Sequence, residues 1–264
     1  MPRPAWGLLL LATSLAAQQY PFIPVAHSPN NVEHIIEDRQ GRLWMTTPDD
    51  VLCFDGTRFF SLHDYGLATL PPDNINPSIR EDDEGGILVN SRLGLHRFHR
   101  GRLEQVMAGA VPVDALSLDR GVLLVAAIAT PQDQQPAAYV ARAIEGRWQT
   151  ERIPGLNVGF YLTRDRADNV LFTCVGGWCE LPARAILDRQ PGKPIVPVFH
   201  KTRQQYRRVI RDRFGCLWFR SEEAGAYQCA DNPEPVPLAA SIAGRNVWDG
   251  EEENDDGSML IASI

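Results

Sequence analysis

A chain that repeats itself at a fixed spacing buries its apolar faces by stacking like units, and this one does so about six times. Residues 34–60 read HIIEDRQGRLWMTTPDDVLCFDGTRFF and residues 208–227 read RVIRDRFGCLWFRSEEAGAY, matching without a gap at Ile36/Ile210, Asp38/Asp212, Gly41/Gly215, Leu43/Leu217 and Trp44/Trp218. Weaker copies surround Gly85, Gly121, Asn169 and Gly257. The markers at 41, 85, 121, 169, 215 and 257 stand 44, 36, 48, 46 and 42 residues apart, the period of a four-stranded propeller blade. The expected fold is therefore all-β: a β-propeller of four-stranded blades with about six repeats. The last repeat is incomplete, since the sequence reaches only its second strand.

Each copy has a physical logic. A strand of alternating character, Val32-Glu33-His34-Ile35-Ile36, leads through a polar turn to a second strand, Leu43-Trp44-Met45-Thr46. The Asp that opens the turn, Asp38 or Asp212, accepts a backbone hydrogen bond, and Gly41, Gly215 or Asn169 supplies the φ > 0 conformation that ends it. Trp44 and Trp218 then offer large apolar surfaces, which marks them for packing between blades rather than for ligand stacking. Third strands at 51–54 and 95–98 and fourth strands at 58–62 and 102–106 complete the unit, with turns at Asp55-Gly56 and Arg100-Gly101. The best helical signal, at 181–188, reads as an insertion between strands.

The chain has 264 residues, enough for one large domain. Its formal charge of -7 would repel a phosphate backbone, so nucleic acid is not an expected partner. Residues 1–17 read as a cleaved signal peptide: Arg3, an apolar run from Ala5 to Leu15, then the small residues Ser14 and Ala16 at the positions a signal peptidase reads. The propeller sensor domain then occupies 18–264, in a periplasmic or secreted location. The longest later apolar stretch, 121–130, suits a buried strand better than a membrane span.

The pattern I/L-x-x-D-x-x-G-x-L-W-x-x-T, followed by G-L-x-R-F, resembles the two-component regulator propeller repeat found in the periplasmic sensor regions of bacterial hybrid histidine kinases. It is carried by Ile35 through Thr47, by Gly94-Leu95-His96-Arg97-Phe98, and by Asp212 through Trp218. The third and fourth copies depart from it at Ala126 and Thr173. The resemblance implies a sensor that binds an extracytoplasmic ligand, often a carbohydrate fragment in relatives, and acts through a downstream membrane-bound kinase portion or partner. The truncated sixth copy reads as the N-terminal part of a larger propeller. Two alternatives stand beside the sensor: a secreted propeller enzyme resembling the streptogramin lyases, and a binding scaffold.

Export places the five cysteines where disulfides persist. In Cys174-Val-Gly-Gly-Trp-Cys179, a two-residue Gly-Gly loop would set Cys174 opposite Cys179. Cys216 and Cys229 flank the corresponding hairpin of the fifth copy and form the second candidate pair, leaving Cys53 buried in the first blade. There is no paired C-x-x-C, His96 and His99 point to opposite faces of one strand, and the acidic run 251–256 lacks a calcium-loop spacing, so no metal is expected. No nucleophile elbow, zinc-protease motif or P-loop is present, and neither catalytic residues nor cofactors are expected. The expected ligand site is a rim of the propeller, with contributions from the loops at 70–76, 155–158 and 203–206.

Overall fold

The computed structural model describes residues 29–68, 78–129, 135–221, 225–229, 235–237, 251–253 and 259–261, the last two segments by their backbone alone. The predicted signal peptide, the 70–76 loop and the turn at Gly257 lie outside these residues.

Five four-stranded antiparallel sheets follow one another, each in chain order. The first holds β1 (His34–Glu37), β2 (Leu43–Thr46), β3 (Val51–Phe54) and β4 (Phe59–Ser61). The second holds β5 (Ser78–Glu81), β6 (Ile87–Ser91), β7 (Gly94–His99) and β8 (Arg102–Met107). The third, with the longest strands, holds β9 (Val111–Asp119), β10 (Val122–Ile128), β11 (Ala137–Ile144) and β12 (Arg147–Asn157). In the fourth, β13 (Leu162–Arg164), β14 (Asn169–Cys174) and β15 (Gly177–Pro182) are followed by a short helix α1 (Ala183–Leu187) and then β16 (Val198–Lys201). The fifth holds β17 (Arg208–Arg211), β18 (Leu217–Arg220), β19 (Gly225–Gln228) and β20 (Val236–Pro237). A two-stranded pair, β21 (Glu251–Glu253) with β22 (Met259–Ile261), stands where a sixth blade begins.

This is the β-propeller expected from the repeat, and its core is divided accordingly. Four apolar clusters each straddle one pair of adjacent blades. Trp44, Val51, Cys53 and Leu62 meet Ile79, Ile87, Val89 and Phe98; Leu88 and Leu95 meet Leu123 and Val125; Leu116 and Val140 meet Leu162 and Phe172; Leu171 and Trp178 meet Val209 and Phe219. Alternate residues of one strand thus serve two interfaces. That is why β10, Val-Leu-Leu-Val-Ala-Ala-Ile, is apolar on both sides and not alternating. The first strands of neighbouring blades pack beside one another around the axis. The turns that join the first strand of each blade to its second, with their Asp residues, therefore all project from one end of the propeller, called here the turn face.

Two local expectations are corrected. The left-handed position of the fourth turn is held by Asp168, with φ of 66°, and Asn169 begins β14. Asp tolerates that conformation because its short polar side chain bonds locally; here its carboxylate accepts from Arg164 Nε at 2.6 Å. The hairpin between β14 and β15 turns on Val175 and Gly176, so Cys174 pairs with Gly177 and Cys179 with Phe172, not with each other. Gly176 supplies the positive φ of 80°. Gly177 is drawn into the strand because β16 packs so close that any Cβ there would strike the His200 carbonyl.

Candidate functional site

The turn face is built by four buried aspartates. Asp38 accepts hydrogen bonds from the backbone N–H groups of Gln40 (2.9 Å) and Arg42 (3.0 Å), from Arg42 Nε (2.6 Å), and from the indole Nε1 of Trp44 (2.8 Å). Asp212 repeats this with Phe214, Cys216 and the Trp218 indole, again at 2.8 Å. Where the second and fourth copies have Leu in place of Trp, an arginine donates instead. Arg97 Nε reaches Asp82, and Arg211 Nη1 reaches Asp165 from the next blade. Burial acts to raise the carboxyls of Asp38 and Asp165, but these donors, Trp44 and Arg42 for the first, Asn169 and Arg211 for the second, hold both below the usual Asp range. The turns are thereby rigid platforms, and the side chains they display outward are held in place.

The inner strands of neighbouring blades are joined by charged groups. Arg80 on β5 donates Nη2 to Asp114 Oδ2 (3.3 Å) and Nη1 to the Leu162 carbonyl (3.1 Å), while the Leu162 N–H donates to the same Asp114 oxygen at 2.7 Å. Three consecutive blades are tied through one carboxylate.

Above this lock the turn face opens into a polar cleft of about 430 Å³, lined by Arg39, Gln40, Glu81, Asp83, Glu84, Gly85, Arg100 and Arg120. These come from the turns of the first three blades. Glu81 accepts from the Arg39 N–H at 3.2 Å, and Arg39 Nη1 donates to the Asp83 carbonyl at 3.0 Å. Asp83 also accepts from Arg164 of the fourth blade (3.3 Å), its N–H donates to Ser117 Oγ (3.3 Å), and Glu84 is held by Arg97 at 2.9 Å. The acids are thus oriented, whereas Arg100 and Arg120 extend into the cleft with no side-chain ion pair among the described residues. Such a cleft offers fixed acceptors and available guanidinium donors; among the described residues no cluster is suited to a metal ion.

The residues singled out in the sequence fall in several places. Asp38, Gly41, Trp44, Asp212, Gly215 and Trp218 build the turn face just described. Gly94 sits at the opposite end, at φ of 114°, so close to β8 that a Cβ would strike the Met107 carbonyl. The expected loop at 155–158 is not one: residues 155–157 are the end of β12, where Asn157 pairs with Ala137, and Leu156 and Val158 are buried in the core; Tyr206 of the 203–206 loop is buried as well, and both segments lie at the end opposite the cleft. Cys216 and Cys229, directly opposite at the start of β18 and the end of β19, are joined with Sγ–Sγ of 2.00 Å. Cys174 and Cys179 lie on one face of their hairpin, diagonal to each other, with sulfurs 2.7 Å apart. His96 is half-buried, and burial lowers its imidazole below the ordinary value.

Sequence reasoning missed the cleft residues. One signal was available: the residue after each turn Asp is Arg39, Asp83, Arg120, Arg166 and Arg213 in successive copies, a charged position repeated on one face. The rest of the cleft depends on which blades meet.

Comparison with known proteins is consistent with this architecture. Residues 27–49 match the two-component regulator propeller family. The fold is shared with the extracellular domain of a hybrid two-component system from B. thetaiotaomicron (TM-score 0.60, 16% identity), covering 89% of this chain and 33% of that one. It is shared also with a chain of the mitotic checkpoint complex (TM-score 0.54, 14% identity, 98% and 86% covered) and with YCF48 bound to a peptide (0.53, 13%, 83% and 73%). The chain therefore spans a third of the length of the two-component domain. No curated protein matches it by sequence. Among the described residues no helix is long and apolar enough to cross a membrane.

Proposed function

From a β-propeller that carries the two-component regulator propeller repeat, we infer an extracytoplasmic ligand-sensing module of a signalling receptor. It binds and does not catalyse, and it acts through a membrane-bound kinase portion or partner. The signal-peptide pattern of residues 1–17 and the fold shared with an extracellular two-component domain support this reading.

The observation that carries the binding role is the convergence of turns from three blades on one polar cleft, where Asp83 and Glu84 are pre-oriented by arginines and Arg100 and Arg120 are available to a ligand. Planar carboxylates and guanidinium forks match vicinal hydroxyl pairs two bonds at a time. A polyhydroxylated ligand, an oligosaccharide, is the chemistry this lining fits. The test is isothermal titration calorimetry of the whole chain with a panel of neutral and uronate-containing oligosaccharides. At least one should bind, and Arg100→Ala or Arg120→Ala should weaken it about tenfold, which corresponds to about 1.4 kcal/mol. Binding unchanged in both variants, or no binding across the panel, overturns the assignment of the cleft.

A further inference from the structure

The hairpin tip of the fourth blade carries a second chemistry, independent of the cleft. The sulfurs of Cys174 and Cys179 are 2.7 Å apart, already in mutual contact although the residues are diagonal and not opposite. The right-handed twist of a tight hairpin shortens one diagonal and brings the two side chains together. The pair is asymmetric. Cys179 is only 5% exposed and faces the core shared with the third blade, whereas Cys174 packs at the edge of the same core and is partly buried, next to Val175, which is 73% exposed at the tip.

We propose that Cys174 and Cys179 form a thiol–disulfide exchange site, in which the accessible Cys174 is the attacking thiol and the buried Cys179 resolves it. The oxidant is a disulfide, either low-molecular-weight or on a protein. The Cys174 thiolate attacks one sulfur of the oxidant, whose S–S bond breaks as a thiolate leaves, giving a mixed disulfide on Cys174. The Cys179 thiol then loses its proton to solvent and attacks Cys174 Sγ, forming the intramolecular disulfide and expelling the second thiolate. Two protein thiols are oxidised and one external disulfide is reduced to two thiols. The division of roles agrees with the thiol chemistry: the hydrogen bond from Cys179 holds Cys174 below the ordinary thiol value, while that contact and burial push Cys179 up.

The site has a structural reach. Gln205 donates Nε2 to the Cys174 carbonyl at 3.1 Å and accepts from the Gly176 N–H at 3.2 Å, and the Thr202 N–H donates to the Gly176 carbonyl at 3.1 Å. Closing or opening the pair thus acts on the segment that leads into the fifth blade.

The whole chain is equilibrated in glutathione buffers from reducing to oxidising, alkylated without further reduction, and analysed by peptide mass spectrometry. The peptide with Cys174 and Cys179 should pass from two alkyl groups to none, with a loss of two hydrogens. In a separate incubation with oxidised glutathione, Cys179→Ser should trap a glutathione adduct on Cys174, whereas Cys174→Ser should trap little on Cys179. Two free thiols across the whole range, a cross-link across the whole range, or a reversed pattern of adducts overturns the proposal.

Discussion

Trp44 donates its indole N–H to Asp38 Oδ2 at 2.8 Å inside the first blade, and Trp218 does the same to Asp212 in the fifth. The hydrogen bond joins the turn to the interblade core, because the Trp44 ring, 0% exposed, packs against Phe98 of the next blade at 5.5 Å. Asp38→Ala strips an acceptor from the indole, from two backbone N–H groups and from Arg42 at once. It should cost about 3 kcal/mol or more, since each buried donor left unsatisfied costs about 1–3 kcal/mol. Urea denaturation checks this, with Asp38→Asn, which keeps one acceptor, expected to lie between the variant and wild type.

The same carboxylate predicts a pH dependence. Asp38 and Asp165 are held below the usual Asp value in the folded chain, so as pH falls the unfolded chain takes up protons first. The stability they contribute is fully present above the unfolded Asp value of about 3.9 and is lost as pH drops through their folded values. Asp50, raised by burial, works in the opposite sense. Urea midpoints of Asp165→Asn and wild type should therefore converge as the pH is lowered below about 4; a constant difference down to pH 2 would contradict this.

Arg80 and the Leu162 N–H both donate to Asp114 and link three consecutive blades. Removing Asp114 leaves a guanidinium and a backbone donor without their acceptor, and Asp114→Ala should cost about 3–5 kcal/mol. Arg80→Met should cost less, because Asp114 keeps its bonds from Leu162 and Ala115. In a double-mutant cycle the two changes should fail to add by at least about 0.5 kcal/mol; strict additivity would show that the pair does not couple the blades.

Two glycines separate backbone conformation from close approach. At Gly56, φ is 93° and a Cβ would meet open space, so Gly56→Ala should cost about 1–2 kcal/mol from the left-handed conformation alone. At Gly94 the positive φ is combined with the Met107 carbonyl of β8. Gly94→Ala should cost clearly more than Gly56→Ala in the same denaturation assay, and equal costs would rule out the close approach as the reason for glycine there.

The Cys216–Cys229 bridge closes a short segment, with a sequence separation of 13. Loop-closure entropy for such a length gives about 3 kcal/mol. Replacing both cysteines by Ala should lower stability by about that amount, read by urea denaturation as the free energy extrapolated to water, with a slope equal to or steeper than that of the bridged chain because the unfolded chain is no longer cross-linked.

Much of the blade was legible because its determinants are local. Alternation in β1, the Asp-x-x-Gly turn and the apolar third strand lie within about twenty residues, so β3 spans 51–54 and α1 falls inside 181–188 as expected. The Asp was read as a turn former; its second role, accepting the Trp indole, was hidden because it depends on how the tryptophan enters the interblade core. The register of the 174–179 hairpin was misread for a similar reason. Two adjacent glycines permit either turn, and the choice was made by β16, whose His200 carbonyl leaves no room for a side chain at Gly177.

By itself the sequence determined the number of strands per unit, the all-β class and the repeat, since period-two alternation and turn chemistry act between near neighbours. Only the tertiary structure decided which charged groups meet. Arg39 reaches Glu81 across 42 residues and Arg80 reaches Leu162 across 82, distances over which no local pattern constrains the chain. Those meetings depend on the angle at which packed blades succeed one another around the axis, and that angle is decided jointly by the four apolar clusters between the first five blades.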